Sequence, residues 1–479
     1  MTWDKLLSTV RIRDFFIAPS PGQDHRTEFQ RDYDRAIFST PVRRLIDKAQ
    51  VFPLEANDSI RTRMTHSLEV STVARDMART IGLWLLKKKE LKTPESVMDL
   101  EAISATCGLI HDLGNPPFGH SGEFAIRDWF AQKGKSFFHF NKYSGSKKQL
   151  KKDFLNFEGN AQTLRLVSKL QVLSDLYGLN FTCGTMSALC KYTVPSHKTS
   201  DRIKEHSKVG YFSSEELLIS LIRNETGTGK IRNPISFIIE AADDIVYSIV
   251  DIEDSIKKGV MNWAYAREKL EEYSSTNNYL LKKCFLKAEE LVSKQGSVTL
   301  YGRDRDEAMV QAFRIYAIGM SVTAAITAFK QNYSRIMIGQ YHNALYKDSK
   351  VASLISACKD VGLRYIYCTS ENLKLEVMGK HIIHDLMDVF WQGLSSSKSS
   401  NSKFAKKIYK LISPNYRQVF ECSKEKPSIL KQYRKGNIVK CLGLLPLPKD
   451  YYCMQLLTDY ICGMTDTFAC TLHKRLMNG

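Results

Sequence analysis

Apolar side chains recur at three- and four-residue steps along most of this 479-residue chain, a spacing that suits the buried face of an α-helix. The pattern is clearest in SLEVSTVARDMARTIGLWLLKKK (67–89) and DLEAISATCGLIHDLG (99–114). It also predicts helices over 121–133, 158–176, 235–256, 262–296 and 305–331, and late in the chain over 375–393, 401–412 and 451–477. Strand-like stretches are few, and VGLRYIYC (361–368) is the best candidate. The expected fold class is all-α, with at most minor β structure.

The periodicity breaks in three places. Residues 134–157 mix Gly, Ser and Lys with little period and are expected to form an insertion or loop between two helices. Residues 193–214 read as a second, polar and basic loop, and SSSKSSNSK (395–403) has the composition of a linker. At 43% hydrophobic, the chain can bury a large core. Its N-terminus lacks the apolar stretch of a secretory signal, and the longest apolar runs, such as IGLWLL (81–86), are too short to span a bilayer, so no membrane role is expected. Eleven scattered cysteines without a Cys-x-x-Cys pair fit reduced thiols in a cytoplasmic protein better than a disulfide framework or a structural zinc site. Lysine and arginine outnumber aspartate and glutamate by 69 to 51, a formal charge of +18. That excess suits a polyanionic partner or substrate, and equally a basic surface that keeps the chain soluble.

Candidate chemistry gathers in one constellation. His111 and Asp112 are consecutive near the end of an apolar helix, which Gly114 and Pro116-Pro117 then break. Neighbouring side chains on a helix point about 100° apart, so the two can share an ion only where the helix ends. His66 begins a helix. Asp243 lies in the apolar run PISFIIEAADDIVYSIV, where an Asp-Asp pair is costly to bury uncompensated and a cation is a natural partner. Two imidazoles and two carboxylates form a mixed N/O set suited to one divalent ion, Mn²⁺ or Mg²⁺, with iron compatible. Four such ligands on a six-coordinate ion leave room for water and a phosphate oxygen.

The segment that follows, NPPFGHSGE (115–123), places His120 and Glu123 three residues apart on one helical turn. A carboxylate there can orient the imidazole and raise its basicity, giving a proton-transfer pair. The plainer alternative is a helix capped by Ser121, with Glu123 in the first turn beside a surface histidine. The two are compatible.

These residues carry a resemblance. RDYDRAIFSTPVRRLIDKAQVFP (31–53), RTRMTHSLEVS (61–71), GLIHDLGNPPFGHSGEFAI (108–126), FEGNAQTLRLV (157–167), GLNFTCGTMSALCKY (178–192), EAADDIVYSIVDIEDSIKKG (240–259) and DYICGMTDTFACTLHKRLMNG (459–479) occur in order over almost the whole chain. Together they resemble the deoxynucleoside-triphosphate triphosphohydrolases of the HD superfamily, most of all the bacterial dGTPase branch. The resemblance implies an HD-type core with an N-terminal substrate-pocket segment over 1–300. It also implies a helical region over 301–479 that contributes to the pocket and to oligomer contacts. It assigns the metal to His66, His111, Asp112 and Asp243, and proton handling at the reacting phosphate to His120 with Glu123. The implied reaction is water attack at the α-phosphorus of dGTP, releasing deoxyguanosine and inorganic tripolyphosphate. Many relatives carry histidine after HDLG where this chain has Asn115; asparagine there is common in the dGTPase branch.

Substrate contacts follow less directly. A triphosphate tail needs several cations, and the loop IKEHSKVGYF (203–212) offers Lys204 and Lys208, which also fit plain loop charge. Tyr247, one helical turn from Asp243, is by resemblance a phosphate or sugar contact and otherwise a core tyrosine. Gln50 and Asp251 resemble the pair that reads the deoxyribose 3′-hydroxyl, with Arg44 in the same neighbourhood; a polar helix face is the alternative for all three. Asn160, in FEGNAQ, suits either nucleotide or backbone. Arg417, in SPNYRQVF, is a candidate donor to guanine from a neighbouring subunit, or a surface arginine. The resemblance further implies a homo-oligomer, expected to be a hexamer, with single-stranded DNA as activator. Competing readings are a broad dNTP triphosphohydrolase, another HD phosphodiesterase or nuclease, and a non-catalytic nucleic-acid-binding protein on the same scaffold.

Overall fold

Helices account for the regular structure, and in the computed structural model the described residues contain no strand. The structure describes residues 1–16, 25–134, 137, 138, 140, 146–171, 177–274, 278–294, 300–395, 403–424 and 447–477. The linker expected at 395–403 therefore lies almost wholly outside them. In chain order the helices begin with α1 (Trp3–Leu6), α2 (Glu28–Ile37), α3 (Thr40–Arg44), α4 (Arg63–Lys87), α5 (Pro94–Ile110) and α6 (Gly119–Gln132). Next come α7 (Lys147–Leu155), α8 (Gly159–Arg165), α9 (Cys183–Leu189), α10 (Glu216–Thr226), α11 (Pro234–Lys258), α12 (Trp263–Tyr273) and α13 (Tyr279–Ser293). The last are α14 (Gly302–Met337), α15 (Ala352–Val361), α16 (Ser370–Ser395), α17 (Lys403–Leu411), α18 (Pro414–Lys424), α19 (Lys449–Cys462) and α20 (Asp466–Leu476). Three isolated bridges, Arg11–Thr182, Ala49–Thr62 and Pro195–Tyr211, are the β-type pairings among the described residues.

Three expectations need correction. VGLRYIYC is not a strand: α15 runs on into a π-helical turn over Gly362–Ile366. Within 361–368 the buried residues are Val361, Gly362 and Ile366, with Leu363 and Arg364 exposed, which is not the alternation of a strand. β-branched and aromatic composition there outweighed a period too short to read. The expected loop at 134–157 contains α7, which starts at a cap where the Ser146 hydroxyl accepts from the Gln149 amide. Its lysine-rich sequence hides the few apolar residues, Leu150 and Phe154, that face the interior. Finally, α14 is long and apolar enough to cross a membrane by length and composition, with a mean hydropathy of 1.4 over its best window. Uninterrupted runs missed it because Ser and Thr punctuate the apolar residues. One face, including Val310, Phe313, Ala317, Ser321, Ala325 and Phe329, is buried, and α14 packs on α11 and α13.

The chain forms two compact units, each assembled from separated stretches: 1–48, 110–233 and 376–479 in one, 49–109 and 234–375 in the other. In the second, α11 is the spine. Pro at its first position pre-sets the helical backbone without losing an amide bond, and nearly every side chain from Pro234 to Ile256 is buried, with Glu240, Asp244, Asp251, Glu253 and Asp254 among them. α4 and α14 pack against it, while Trp263, Phe285 and Phe313 form an aromatic cluster with ring centroids 5.5–5.8 Å apart. α4 and α5 cross closely at Gly108, where a Cβ would stand 2.7 Å from the Ser71 Cα.

The first unit is organised by buried ion pairs. The guanidinium of Arg165 donates to both oxygens of Asp459, at 2.8 and 2.7 Å, and to Glu215 at 3.1 Å. These charges are almost fully buried and mutually compensated, as burial of ions requires.

Candidate active site

The residues singled out in the sequence divide between the two units. In the unit that holds α4 and α11, His66 lies in the first turn of α4, fully buried. That turn is held by Thr65, whose hydroxyl accepts from the Thr62 amide at 3.1 Å and donates to the Thr62 carbonyl at 3.0 Å. Arg61, just before it, ties α4 to α11: its Nε donates to Glu69 on α4 at 2.9 Å, Nη2 to Glu253 at 2.7 Å and Nη1 to Asp254 at 2.6 Å. With the two helices so joined, His66 Nε2 stands 3.4 Å from Asp243 Oδ1. The neighbouring Asp244 is compensated separately, by the Lys359 ammonium at 2.6 Å. Of the adjacent aspartates, one is therefore neutralised by a lysine and the other faces the imidazole.

Further along α11, Lys359 also sits 5.2 Å from the Tyr247 ring centroid. Burial pushes the Tyr247 hydroxyl up to about 12 against the opposing effect of that ammonium. Asp251, one turn on, is buried, and its Oδ2 accepts from the Tyr367 hydroxyl. Its Oδ1 and the Oε1 of Gln50 are buried acceptors without a hydrogen-bond partner among the described residues. Burial, first of all, raises the Asp251 pKa to about 8. Two orphaned buried acceptors in one unit are costly unless a donor reaches them.

In the other unit, His111 and Asp112 follow the end of α5, with His111 Nε2 3.7 Å from Asp112 Oδ1. The turn that carries them lies directly on the first turns of α8. The Gly114 amide donates to Thr163 Oγ1 at 2.9 Å, and that hydroxyl in turn donates to the His111 carbonyl at 3.2 Å. A Cβ on Gly114 would come within 2.2 Å of the Gly159 carbonyl and the Thr163 nitrogen, so only glycine permits the approach. Lys48, which the sequence did not single out, is buried and donates to the Asn115 carbonyl at 2.5 Å and the Cys462 carbonyl at 2.8 Å. Phe118 takes a left-handed conformation (φ 62°) to start α6, and its amide is held by Asp466 Oδ1 at 2.9 Å.

On α6, His120 Nδ1 is 2.9 Å from Glu123 Oε2. The other carboxylate oxygen, Oε1, accepts from the Gly159 amide at 2.7 Å. Burial pushes the Glu123 carboxyl up, but the hydrogen bond and charge of His120, with Lys208 and Arg127 beyond, outweigh it and hold the pKa below the ordinary range. An ionised carboxylate only accepts, so Nδ1 carries the proton toward Glu123, and Nε2 is the ring nitrogen that presents a lone pair whenever the imidazole is neutral. The His120 side chain is 70% exposed while Glu123 is 4% exposed, an arrangement that keeps the reactive nitrogen accessible and its orienting anion dry.

Behind this pair stands Glu158, also missed in the sequence. It accepts from Arg127 at 3.1 Å, Lys208 at 3.2 Å and Asn160 at 2.9 Å. Burial disfavours the Lys208 ammonium, yet Glu158 raises its pKa above the usual value. Asn160 and Lys208 are thus brought together with His120 and Glu123. Lys204 opens a short 3-10 turn, half-buried. Arg44 donates to the Gly463 carbonyl at 2.9 Å, and Arg417 donates to the Ile412 carbonyl at 3.0 Å and stacks 5.6 Å from Tyr409. No sequence signal marks Lys48 or Glu158; Arg61 was legible only through the acidic doublet at 253–254, which needed a counter-charge.

Residues 63–162, which include His66, His111 and Asp112, match the HD domain. The whole chain is similar to named bacterial proteins. A deoxyguanosinetriphosphate triphosphohydrolase-like protein of Listeria innocua is 35% identical over 484 residues, covering 99% of each chain. A protein of the same name from Synechocystis is 30% identical over 99% of each chain. A deoxyguanosinetriphosphate triphosphohydrolase of Enterobacter is 29% identical over 94% of this chain and 93% of its own. The end-to-end likeness defines an HD-domain hydrolase. The chain belongs to the deoxyguanosinetriphosphate triphosphohydrolase-like family.

HD domains are metal-dependent. Ligand atoms that share one small divalent ion stand about 3 Å apart, given ion–oxygen distances near 2.1 Å. The imidazole–carboxylate separations within each unit, 3.4 Å for His66–Asp243 and 3.7 Å for His111–Asp112, fit such a pairing in distance and in donor type.

Two outcomes follow from this geometry. A Cβ at Gly159 would fall 2.0 Å from Asn115 Oδ1 and 2.6 Å from Glu123 Oε1. Gly159→Ala is therefore expected to lower kcat by at least about tenfold through displacement of the His120–Glu123 pair, with helical circular dichroism retained; a parent-like kcat would contradict the role given to that amide. Asp251 titrates near 8 in the folded chain and near 4 when unfolded. The folded state thus holds an extra proton between those values, and stability falls as pH rises through that window, by up to about 1.4 kcal/mol per pH unit. Asp251→Asn, which mimics the neutral acid, is expected to flatten the decline in urea-unfolding stability between pH 5 and 8; an unchanged slope would contradict a protonated Asp251.

Proposed function

We propose that this protein hydrolyses dGTP to deoxyguanosine and inorganic tripolyphosphate, with one divalent cation held by His66, His111, Asp112 and Asp243. The observation that carries this reading is the end-to-end similarity to relatives named for that activity. The ion, Mn²⁺ or Mg²⁺ with iron compatible, supplies Lewis-acid polarisation of the α-phosphate when bound. His120, oriented by Glu123, removes a proton from the attacking water or returns one to the leaving 5′-oxygen. Lys208 and Lys204 offset phosphate charge, with Asn160 beside Lys208 on Glu158, and Tyr247 contacts phosphate or sugar. Gln50 and Asp251, whose buried Oε1 and Oδ1 have no hydrogen-bond partner among the described residues, accept from or donate to the deoxyribose 3′-hydroxyl, with Arg44 nearby. Arg417 recognises guanine from a neighbouring subunit of a homohexamer.

Single-stranded DNA is the proposed activator, in the cytoplasm; the +18 charge is compatible with it, and binding through phosphates makes the activation strongly salt-dependent. A broader dNTP specificity is the second reading. The "-like" names of the Listeria and Synechocystis relatives leave room for it.

A four-dNTP panel with Mg²⁺ or Mn²⁺, with and without single-stranded DNA, tests the reading. dGTP is expected to give deoxyguanosine and tripolyphosphate, whereas dGMP plus pyrophosphate would reject the assignment. Asp112→Ala is expected to lose metal and turnover together. His120→Ala is expected to keep the metal while slowing hydrolysis by about 10²–10⁴-fold; hydrolysis at the parent rate would remove His120 from the chemistry.

A further inference from the structure

The solvent-facing stripe of α6 is short and uneven. Gly119, Gly122, Glu123, Ala125, Ile126, Trp129 and Phe130 are buried, which leaves His120, Ser121, Phe124, Arg127, Asp128, Ala131 and Gln132 on the open side. Apart from Phe124 and the small Ala131, these are polar. Phe124 is not, yet it is 63% exposed. It stands four residues after His120, so its Cβ is one helical turn away, about 5–6 Å along the same face.

The ring does not hang loose. The Arg127 guanidinium lies 5.5 Å from its centroid. That guanidinium is itself anchored, donating through Nε to the Phe157 carbonyl at 2.5 Å and through Nη2 to Glu158 at 3.1 Å. Arginine over an aromatic face, held by a buried carboxylate, makes a stiff platform whose remaining apolar surface faces solvent.

We propose that Phe124 is a substrate-contact residue, the platform on which the deoxynucleoside half of the substrate rests while its α-phosphate lies at His120. The inference rests on the reading of His120 as the proton-handling group. It follows from length: the sugar begins one bond from the 5′-oxygen at which His120 acts and the base lies beyond the sugar, so a nucleoside extending from that oxygen covers the one helical turn to Phe124. The triphosphate, by contrast, needs cations and gains nothing from an exposed phenyl ring. Stacking of a base or sugar on an aromatic ring is tolerant of base identity, so Phe124 contributes affinity for the nucleoside rather than choice among bases.

The test is steady-state hydrolysis by Phe124→Ala and Phe124→Trp in the full-length, metal-loaded protein, with inorganic tripolyphosphate as a competing inhibitor. For Phe124→Ala, KM for each hydrolysed dNTP is expected to rise about tenfold, with kcat within a few-fold of the parent. Inhibition by tripolyphosphate, which has no nucleoside, is expected to stay unchanged. Phe124→Trp is expected to restore a parent-like KM. A parent-like KM in Phe124→Ala overturns the proposal while leaving the dGTPase reading intact. So does a loss of tripolyphosphate inhibition in parallel with KM, or a changed sedimentation mass, which would mark Phe124 as a subunit contact. If the parent itself hydrolyses no dNTP, the functional reading fails and this proposal with it.

Discussion

One buried carboxylate fixes the geometry on which the proposed chemistry depends. Glu123 is dry, ionised and divided between two donors, His120 Nδ1 on its own helix and the Gly159 amide at the start of α8. The amide sets the position of the carboxylate, and the carboxylate sets the tautomer and direction of the imidazole. An uncompensated carboxylate at this depth would be protonated instead. The cations behind it, Arg127 and Lys208 gathered by Glu158, keep it charged without touching it. Two glycines make this possible: Gly114 and Gly159 let the His111-Asp112 turn and α8 approach at distances that any side chain would block.

The other unit solves a related problem, how to keep several acids inside an apolar helix. Along α11, Asp244 meets a lysine, Glu253 and Asp254 share the guanidinium of Arg61, and Asp251 meets a tyrosine hydroxyl. Asp243 faces His66. This division leaves Asp243 with the neighbour best suited to sharing a cation and leaves Asp251 as a neutral acid at physiological pH. Arg61 does more than balance charge, because it joins the start of α4 to α11 and so sets the spacing between His66 and Asp243.

Much of this was legible in the sequence. Period and length revealed the long helices, since α4, α11 and α14 each repeat their apolar face over several turns. The break at Gly114-Asn115-Pro116-Pro117 marked the end of α5, and the three-residue spacing of His120 and Glu123 gave their contact. What escaped notice depends on tertiary partners. Glu158 and Lys48 look like ordinary charges in sequence, and their importance lies in what folds against them. The π-helical turn after α15 resembled a strand because Val, Tyr and Ile favour both states and five residues are too few to fix a period. α7 was hidden by its lysines, which face outward and outnumber its two anchoring apolar side chains.

In the proposed reaction water attacks phosphorus, with His120 managing the proton and the ion managing the charge. Hydrolysis of dGTP in ¹⁸O-labelled water, read by mass spectrometry of both products, tests it directly. Attack at the α-phosphorus places one labelled oxygen in tripolyphosphate and none in deoxyguanosine. Label in the 5′-hydroxyl of deoxyguanosine would mean that the carbon–oxygen bond breaks instead, and would contradict the roles given to the metal ligands and to His120 alike.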